Sequence, residues 1–326
     1  MQVIIPLAGK GTRLRPHTHL VPKPLLKVAG RPVMDWVMDR LEGLDVTELI
    51  FITGHLKEQV EAFARARYKI PSRFIEQKVQ DGTAGAINLA RPHVREPVLI
   101  IFVDTVFEAD LTLINRTDAD GIIWAKEVED YQRFGVVVTD AKGYMTRIVE
   151  KPSTPISRLA NIGLYYIRAV DSLWEGIDHV LASPANKGEW YLTDAFQWMI
   201  EHQKRILTAE VGGWYDCGKL DTFLETNEIL LRQGAGRRVN FPGVTIHDPV
   251  YIEEGVTIER SEIGPNVSLE SGTRITGSRL RNAIVGRDAR LSDVQLDGAM
   301  LGNRVLLNRF RGSASLGDDS DLQGSP

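Results

Sequence analysis

The sequence has 326 residues, of which 43% are hydrophobic and 25% charged, a balance typical of a folded globular protein of about two domains. Its formal net charge of -4 argues against general nucleic-acid binding, because a protein that follows phosphates along a duplex is usually basic. Cys217 is the only cysteine, so no intramolecular disulfide, cysteine-rich zinc site or iron-sulfur cluster is expected.

The first residues follow a strand pattern instead of a basic segment with an apolar run behind it, and no stretch approaches the ~18 apolar residues of a membrane span. We therefore expect a cytoplasmic protein without a membrane partner.

Strand and helix patterns alternate up to about Arg232. Four runs predict strands, the first three buried and parallel because they are almost continuously apolar: VIIP from Val3, ELIFITG from Glu48, VLIIFVD from Val98 and GIIWAKEV from Gly121. Helical spacing begins at Val33 behind Pro32, and further helices are expected over 56–67 and 83–90. This alternation predicts an α/β layered domain over 1–232.

From Gly243 the pattern changes to a short repeat. Apolar residues recur at steps of six, six, five, six and six, at Ile246, Ile252, Ile258, Ile263, Leu269 and Ile275. One template then repeats as IGPNV, VGRDA, LGNRV and LGDDS, beginning at Ile263, Val285, Leu301 and Leu316. Hexad repetition predicts a parallel β-helix over 240–322, with at least three coils after the first and a fraying polar tail, GDDSDLQGSP. A chance-repetitive β-sandwich is the alternative.

The stretch Pro6–Leu26, PLAGKGTRLRPHTHLVPKPLL, combines glycines with basic residues directly behind the first strand. Gly9 and Gly11 let backbone N–H groups approach a phosphate where a Cβ would obstruct. It is no dinucleotide fingerprint, since a leucine replaces the third glycine, and no P-loop, since no Gly-Lys-Ser/Thr follows. A tight turn would explain the glycines alone, but Arg13 and Lys23 add the forked and the point charge that suit phosphate oxygens.

LAGKGTRLRPHT followed by PKPLL resembles the signature loop of the sugar-1-phosphate nucleotidyltransferases, G-x-G-T-R-x-x-P-x-T with a downstream Lys-Pro pair. The resemblance covers the whole chain, because a C-terminal repeat domain occurs in several branches, including the glucose-1-phosphate thymidylyltransferase type. It implies a Rossmann-like α/β nucleotidyltransferase domain with a mixed, mostly parallel sheet, followed by a left-handed parallel β-helix.

By that resemblance Arg13 binds the β- and γ-phosphates and Lys23 reaches the reacting phosphates. Gln77 aligns with the position that reads the base, and its amide matches the N3–H and a carbonyl of uracil or thymine. A surface turn capped by Asp81 is the alternative for that segment. The whole implied nucleotide-binding set is Leu7, Ala8, Gly9, Gly11, Thr12, Arg13, Gln77, Gly82 and Thr83. Three other basic residues of the loop are expected at the solvent or the edge: Lys10, Arg15 and Lys27.

Two aspartates are the candidate metal ligands. The VLIIFVD strand pattern ends on Asp104, at the edge where open α/β sheets bind ligands, although Val103 replaces the glycine that usually precedes it in the family. Asp216 lies in WYDCG, which resembles the family's W-x-D-x-G. The resemblance implies that both carboxylates hold Mg²⁺ together with phosphate oxygens and water.

The sugar side is implied by RFGVVV, VEKP, LANIGLYYI and GEWYLTDAF. By resemblance Glu150 and the Gly135 backbone bind sugar hydroxyls, Lys151 binds the sugar phosphate, and Glu189 lines the pocket. Asn161 and Gly163 complete the sugar-phosphate set. The implied catalytic residues are Arg13, Lys23, Asp104, Lys151 and Asp216.

The implied reaction is attack by a sugar 1-phosphate, glucose 1-phosphate by family frequency, on the α-phosphorus of a nucleoside triphosphate. One methyl separates thymine from uracil, worth roughly 1 to 3 kcal/mol in a pocket, so dTTP and UTP stay open. The β-helix is expected to mediate self-association of a homo-oligomer.

Three other functions stay open: a catalytically silent regulatory subunit, a binding module for nucleotide sugars, and a bifunctional enzyme with acyl transfer in the β-helix. The last histidine, His247, lies at the first turn of the repeats, which disfavours a histidine base between later coils.

Overall fold

The structure is a computed structural model that describes residues 1–186 and 188–324. Its α-helices in these ranges are α1 (Val33–Met38), α2 (Lys57–Arg67), α3 (Thr83–Asn88), α4 (Val170–Ala182), α5 (Leu192–Glu201) and α6 (Leu220–Leu230). None of the helices described is long and apolar enough to cross a membrane.

The strands that precede the repeats are short to medium in length. They are β1 (Gln2–Pro6), β2 (Lys27–Val28), β3 (Arg31–Pro32), β4 (Glu48–Thr53), β5 (Ser72–Glu76), β6 (Val98–Ile101), β7 (Thr105–Glu108), β8 (Gly121–Glu127), β9 (Gly135–Thr139), β10 (Met145–Glu150), β11 (Leu159–Ile167), β12 (Ile206–Glu210) and β13 (Gly213–Asp216). The four strands expected from VIIP, ELIFITG, VLIIFVD and GIIWAKEV are confirmed as β1, β4, β6 and β8.

Two compact units make up the chain, and neither is continuous in sequence: Met1–Gly9 with Val37–Trp214, and Lys10–Trp36 with the chain from Tyr215 onward. We call them the sheet unit and the β-helix unit. The predicted boundaries, 1–232 and 240–322, stay a prediction.

A mixed sheet forms the centre of the sheet unit, with the order β10-β9-β11-β6-β1-β4-β5 and with β8 pairing β11 and β12. β1 is parallel to both β4 and β6, and β4 is parallel to β5, as the continuous apolar runs predict. β11 runs antiparallel to β6 and β8, which makes the sheet mixed. The predicted α/β fold with a mostly parallel central region is confirmed.

The centre of this sheet is fully buried, which explains why its strands lack polar alternation. Ile4, Ile50 and Ile100 are 0% exposed and lie in adjacent strands of one core cluster with residues of α3, α4 and α5. The carboxyl ends of these parallel strands lead directly into the predicted site segments. β6 ends at Ile101, so Asp104 lies in the turn beyond the strand and not on its last residue.

The predicted parallel β-helix is confirmed. Its strand ladders within the described residues are parallel, so the β-sandwich alternative is wrong. Its strands are β14 (Thr245–Ile246), β15 (Val250–Ile252), β16 (Thr257–Glu259), β17 (Glu262–Ile263), β18 (Val267–Leu269), β19 (Arg274–Thr276), β20 (Arg279–Val285), β21 (Arg290–Ser292), β22 (Gln295–Leu301), β23 (Leu306–Asn308), β24 (Arg311–Leu316) and β25 (Asp321–Gln323).

Three stacks of strands form three faces around an apolar interior. The first face begins with β14 and β17, the second with β15 and β18, and the third is β16-β19-β21-β23-β25, which makes five coils in the described residues. The four template copies do not share one position. Val285 pairs with Leu269 and Leu301, whereas Ile263 pairs with Leu280 one face earlier. Copies of the same short turn thus serve two different corners.

The predicted fraying tail belongs to the β-helix. Within GDDSDLQ, Gly317 is buried and β25 pairs in parallel with β23, which completes the fifth coil. Tail residues 325 and 326 lie outside the described part of the chain. Polar composition misled the prediction, because β-helix turns accept aspartate: Asp288 and Asp319 take the positive φ angles that corners require.

The second face carries an outward column of side chains, Tyr251, Ser268, Ile284, Met300 and Ser315, which are mutual register partners. Ile284 and Met300 are each 4% exposed and yet lie outside the cluster that fills the interior. They are buried because α6 packs across β18, β20 and β22 on this face. One of the three flat faces is therefore covered by the chain itself.

Candidate active site

The residues after β1 are held at the carboxyl edge of the sheet. Leu7 N donates to the Ile52 carbonyl at 2.7 Å, and Gln80 Nε2 donates to the Ala8 carbonyl at 2.7 Å. A Cβ on Gly54 would lie 2.7 Å from the Ala8 oxygen, so only glycine allows this approach of the two loops. Gly9 is exposed, and a Cβ there would meet nothing within 4 Å. The nucleotide-binding prediction missed Gln80, although a second glutamine is visible in EQKVQDG.

Gln77 lies in a segment that is ordered by its own polar groups. Its Nε2 donates to Asp81 Oδ1 at 3.0 Å and to the Gly82 carbonyl at 3.5 Å, and its backbone N donates to the Thr53 carbonyl. The side chain is 9% exposed. Because an ionised carboxylate only accepts, Asp81 fixes the orientation of the Gln77 amide.

Gly82 adopts φ 113° and packs directly on the chain before α5. A Cβ there would lie 2.4 Å from the Trp190 carbonyl oxygen, so another residue cannot replace it without a backbone shift. The next residue, Thr83, accepts a hydrogen bond at Oγ1 from Leu192 N at 2.8 Å. Leu192 is the first residue of α5, so Thr83 satisfies a backbone donor at the start of that helix.

The variant Thr83→Val is expected to lower the free energy of unfolding by about 1 kcal/mol, because the helix start loses its acceptor while the side-chain shape is kept. Urea denaturation followed by circular dichroism measures this loss. Thr83→Ser is the matched control, since it keeps the hydroxyl. Equal stability of the valine and serine variants would contradict the capping role.

Three side chains lie against Gly135 at the start of β9. Asn161 Nδ2 donates to the Gly135 carbonyl at 2.8 Å, and Thr193 Oγ1 donates to Glu150 Oε2 at 3.1 Å. A Cβ on Gly135 would lie 2.3 Å from Asn161 Nδ2 and 2.9 Å from Glu150 Oε2. The structure therefore brings together three predicted sugar-side residues, and it adds Thr193, which the sequence reasoning missed.

Tyr165 joins this cluster from β11. Its hydroxyl donates to Asn161 Oδ1, which also accepts from Gly163 N at 3.3 Å. Burial raises the pKa of Tyr165 above its ordinary value, and the charges of Glu150 and Asp104 raise it further. The phenol therefore stays protonated at neutral pH and keeps its role as a donor.

Lys151 lies at the exposed rim of this cluster. Its Nζ is 3.4 Å from Glu150 Oε1 and 4.9 Å from the centre of the Tyr191 ring. Burial raises the pKa of Tyr191, the Lys151 charge opposes that rise, and a hydrogen bond with the Glu189 side chain adds to it. Tyr191 thus connects two predicted sugar-side residues, Lys151 and Glu189, that no local sequence pattern relates.

In the β-helix unit, the signature loop folds back on itself through Gly11. Gly11 has φ 62°, and a Cβ there would lie 2.9 Å from Thr18 Cγ2 and 3.2 Å from Lys23 Cβ. Thr18 Oγ1 donates to the Gly11 carbonyl at 2.9 Å. Thr12 and Arg13 begin a short 3-10 helix directly after this glycine, and both are exposed. The fold-back brings the Arg13 and Lys23 halves of the motif close together.

Asp216 lies near Arg13 within the same unit. A Cβ on Gly218 would lie 2.7 Å from Asp216 Oδ1 and 3.4 Å from Arg13 Nη2. Asp216 accepts from Gly218 N at 2.7 Å through Oδ1 and from Thr222 Oγ1 at 3.1 Å through Oδ2. The carboxylate is thus held by its own turn before α6, with further lone pairs left on each oxygen.

The expectation that Lys27 lies at the solvent or the edge is wrong. Its Nζ is 2.9 Å from Glu270 Oε2 and 3.6 Å from Glu253 Oε2, and its side chain is 22% exposed. Burial raises the pKa of Glu270, and the Lys27 charge opposes that rise. The loop is therefore tied to the β-helix by a partly buried ion pair.

His17 is the buried histidine of the loop. It is 4% exposed, and its Nε2 lies 3.1 Å from Ser315 Oγ. Burial lowers its pKa from 6.5 to about 4, although the charge of Asp318 opposes the shift. The imidazole is therefore neutral at pH 7 in the folded protein.

Acidification from pH 7 to pH 5 is expected to cost about 2 kcal/mol of stability through His17. Its folded pKa lies below the unfolded value of 6.5, so the unfolded state binds the proton first and stability falls between pH 6.5 and about 4. Thermal unfolding of His17→Gln measures this, because glutamine does not titrate. A variant with the same pH slope as the parent protein would contradict the assignment.

The predicted metal ligands lie in different units, Asp104 in the sheet unit and Asp216 in the β-helix unit. Among residues 1–186 and 188–324, no group of three or more His, Cys, Asp or Glu side chains forms a metal cluster. Carboxylate oxygens are ligands that suit a cation also coordinated by phosphate oxygens and water, as is usual for Mg²⁺.

A family model described as nucleotidyl transferase matches residues 2–233. The bifunctional protein GlmU of Methanococcus aeolicus is 33% identical over 265 residues, which cover 79% of this chain and 62% of the relative. This chain thus spans less than two thirds of the length of that relative. The UTP–glucose-1-phosphate uridylyltransferase AglF of Haloferax volcanii is 30% identical, covering 66% of this chain and 89% of the relative.

A third match extends over almost the full length of both chains. The glucose-1-phosphate thymidylyltransferase of Streptomyces antibioticus is 27% identical, over 94% of this chain and 93% of its own. Among solved structures, UDP-glucose pyrophosphorylase complexed with UDP-glucose matches with a TM-score of 0.63 at 23% identity, covering 71% of this chain and 98% of that one. That likeness shows the shared fold.

Proposed function

The chain belongs to the nucleotidyl transferase family, and on that premise we propose that it is a sugar-1-phosphate nucleotidyltransferase. The substrates proposed are dTTP or UTP and a sugar 1-phosphate, with glucose 1-phosphate as the first candidate. The observation that supports this most is the set of buried hydrogen bonds around Gly135, Glu150 and Asn161, because it prepares polar groups beside the Lys151 cation.

The proposed step is an in-line displacement. An oxygen of the sugar phosphate attacks the α-phosphorus, the bond from that phosphorus to the β-phosphate oxygen breaks, and pyrophosphate leaves with the electron pair. The nucleophile is anionic at neutral pH, so no base has to remove a proton. Catalysis depends on positioning two anions and on compensating their charge.

We assign charge compensation to three cationic side chains. Arg13 binds the phosphates that become pyrophosphate, Lys23 binds at the reacting phosphates, and Lys151 binds the sugar phosphate. Asp104 and Asp216 would hold Mg²⁺, which supplies charge stabilisation for the phosphate oxygens when bound.

Base recognition is assigned to Gln77, through its amide oxygen and not through both polar groups of the amide. Both amide protons have acceptors in Asp81 and the Gly82 carbonyl. The amide oxygen is then the group offered to a base, and N3–H of uracil or thymine can donate to it. Recognition of a pyrimidine carbonyl falls to backbone N–H groups near Gly82.

The sugar is proposed to lie against the polar cluster around Gly135. Glu150 Oε1 and Oε2 are both directed by protein donors, Lys151 and Thr193, which orients the carboxylate for sugar hydroxyls. Asn161 is proposed to act indirectly, by holding neighbouring groups in place. Its amide bonds the Gly135 carbonyl, Gly163 N and the Tyr165 hydroxyl.

Pyrophosphate release tests the function directly. The full chain is incubated with Mg²⁺ and each pairing of dTTP, UTP, GTP, CTP or ATP with common sugar 1-phosphates. Release with dTTP or UTP and glucose 1-phosphate is expected, and the same panel identifies the base and the sugar. If no pairing releases pyrophosphate, the enzyme proposal fails, and equilibrium binding of nucleotide sugars then distinguishes a binding module from a silent subunit.

A second activity in the β-helix is the weaker candidate, although relatives named bifunctional exist. His247 is the last histidine of the sequence and lies in the first coil, where its Nε2 is 3.0 Å from Glu262 Oε1 of the second coil.

We propose instead that the β-helix supports assembly of a homo-oligomer in the cytoplasm through its first or third face. Light scattering of the purified chain tests the assembly.

A further inference from the structure

We propose that the β-helix positions the signature loop for nucleotidyl transfer, with Ser315 and Gly317 of the last coil as positioning residues. The inference rests on the proposed function, which gives the loop its substrate. It goes beyond that function because it assigns a catalytic consequence to a repeat domain otherwise assigned to assembly.

The first anchor lies at the last coil. Gly317 is buried, and a Cβ there would lie 3.0 Å from Pro16 Cβ. Two residues earlier, in β24, Ser315 Oγ lies 3.1 Å from His17 Nε2, and His17 is itself 4% exposed. These contacts fall three and four residues after Arg13. A displaced last coil would therefore displace the start of the loop.

The second anchor lies at the first two coils. Lys27 pairs with Glu270, and the Ala29 backbone N donates at 2.9 Å to Asn227 Oδ1. The same Asn227 oxygen accepts from Ser268 Oγ at 2.7 Å, so α6 connects the loop to the second face of the β-helix. This connection is buried, which makes its hydrogen bonds costly to leave unmade.

At the first coil the loop ends against an aromatic ring. A Cβ on Gly30 would lie 2.3 Å from ring atoms of Tyr251, so the ring lies directly on the glycine backbone. Tyr251 and Ser315 are the two ends of the outward column on the second face. The segment 16–30 thus spans the stack lengthwise, over four strand spacings, or roughly 19 Å.

The two anchors lie close in sequence to both cations of the loop. Arg13 precedes the first anchor, Lys23 lies between the two, and Thr18 ties the Gly11 turn to the first anchor through its hydrogen bond. A cavity of about 240 Å³ lies beside the first anchor, lined by His17, Leu20 and Asp318 among others. The loop has space to shift into if the contacts at Ser315 and Gly317 are lost.

Loss of the first anchor should lower kcat/KM for the nucleotide and leave the KM for the sugar phosphate unchanged, because the residues assigned to the sugar belong to the sheet unit. A purely structural role of the last coil would instead change overall stability without separating the two substrates. Comparing the change in kcat/KM for the nucleotide with the change in KM for the sugar phosphate therefore distinguishes a positioning role from a packing role.

The experiment compares four variants of the full chain. Ser315→Val replaces the hydroxyl by two methyl groups, and Ser315→Thr has nearly the same shape as the valine variant but keeps the hydroxyl. Gly317→Val adds bulk against Pro16, and Asp321→Val adds the same side chain on the third face of the same coil. The measurements are kcat and KM for each substrate, the melting temperature, and hydrogen exchange of the peptide over 10–26.

Gly317→Val and Ser315→Val are expected to lower kcat/KM for the nucleotide by about tenfold and to speed exchange over 10–26, with the sugar phosphate KM within about twofold. Ser315→Thr and Asp321→Val should match the parent protein. Unchanged hydrogen exchange over 10–26 and unchanged kcat/KM in both Gly317→Val and Ser315→Val would overturn the proposal. If Gly317→Val does not fold, Ser315→Val decides alone.

Failure of the proposed function is distinguishable from failure of this inference. A parent protein that releases no pyrophosphate in any pairing refutes the function. Hydrogen exchange over 10–26 needs no turnover, so faster exchange in Ser315→Val, with Asp321→Val unchanged, would still support the mechanical coupling. Unchanged exchange in an active enzyme counts against the coupling alone.

Discussion

Arg13→Ala is expected to lower kcat about 10²- to 10³-fold, because one charged, forked donor to the developing pyrophosphate is lost. The side chain is exposed, so its removal leaves no cavity and the melting temperature should change little. Steady-state kinetics with saturating Mg²⁺, nucleotide and sugar 1-phosphate measure the loss.

The sequence offers a matched control two residues further on. Arg15 is also exposed and belongs to the same loop, so Arg15→Ala removes the same charge at a nearby position. We expect its kcat to stay within about threefold of the parent value, since nonspecific electrostatic attraction by one exposed charge is small. Equal losses in both variants would show that net loop charge matters, and would remove the specific role of Arg13.

Asp104→Asn is expected to lower kcat by about 10²- to 10³-fold and to raise the Mg²⁺ concentration needed for half-maximal rate. The amide keeps the size of the carboxylate but loses the charge that a hard cation prefers. Turnover across a Mg²⁺ titration provides the measurement. Retained kcat with an unchanged Mg²⁺ dependence would remove Asp104 from the metal site.

Asp118→Asn is the control for the charge change. Asp118 belongs to the same unit and pairs with Arg205 at 2.9 Å, with 82% of its side chain exposed. Its loss should leave both kcat and the Mg²⁺ dependence unchanged, because exposed ion pairs contribute little. Asp104 also raises the pKa of Tyr165, so Asp104→Asn should lower that pKa, although burial keeps the phenol protonated at neutral pH.

Local sequence patterns were enough to predict the types of secondary-structure element and the candidate residues for phosphate chemistry. Apolar runs predicted the buried parallel strands because a strand with both faces covered has no polar alternation. The repeat predicted the β-helix because each coil must present the same inward positions to its neighbour. The signature loop predicted Arg13 and Lys23 as phosphate-binding residues, because phosphate binding favours arginine and lysine, which can be recognised in the sequence.

The distant segments that support those residues become visible only in the folded chain. Lys27 and Glu270 are separated by 243 positions and His17 and Ser315 by 298, and no local periodicity encodes such a pair. For the same reason the sequence reasoning missed the contacts of Gln80, Tyr165 and Thr193. It also expected Lys27 at the solvent or the edge and a fraying tail from Gly317 onward. Side-chain chemistry is a local property of the sequence, whereas the position of a side chain depends on long-range packing.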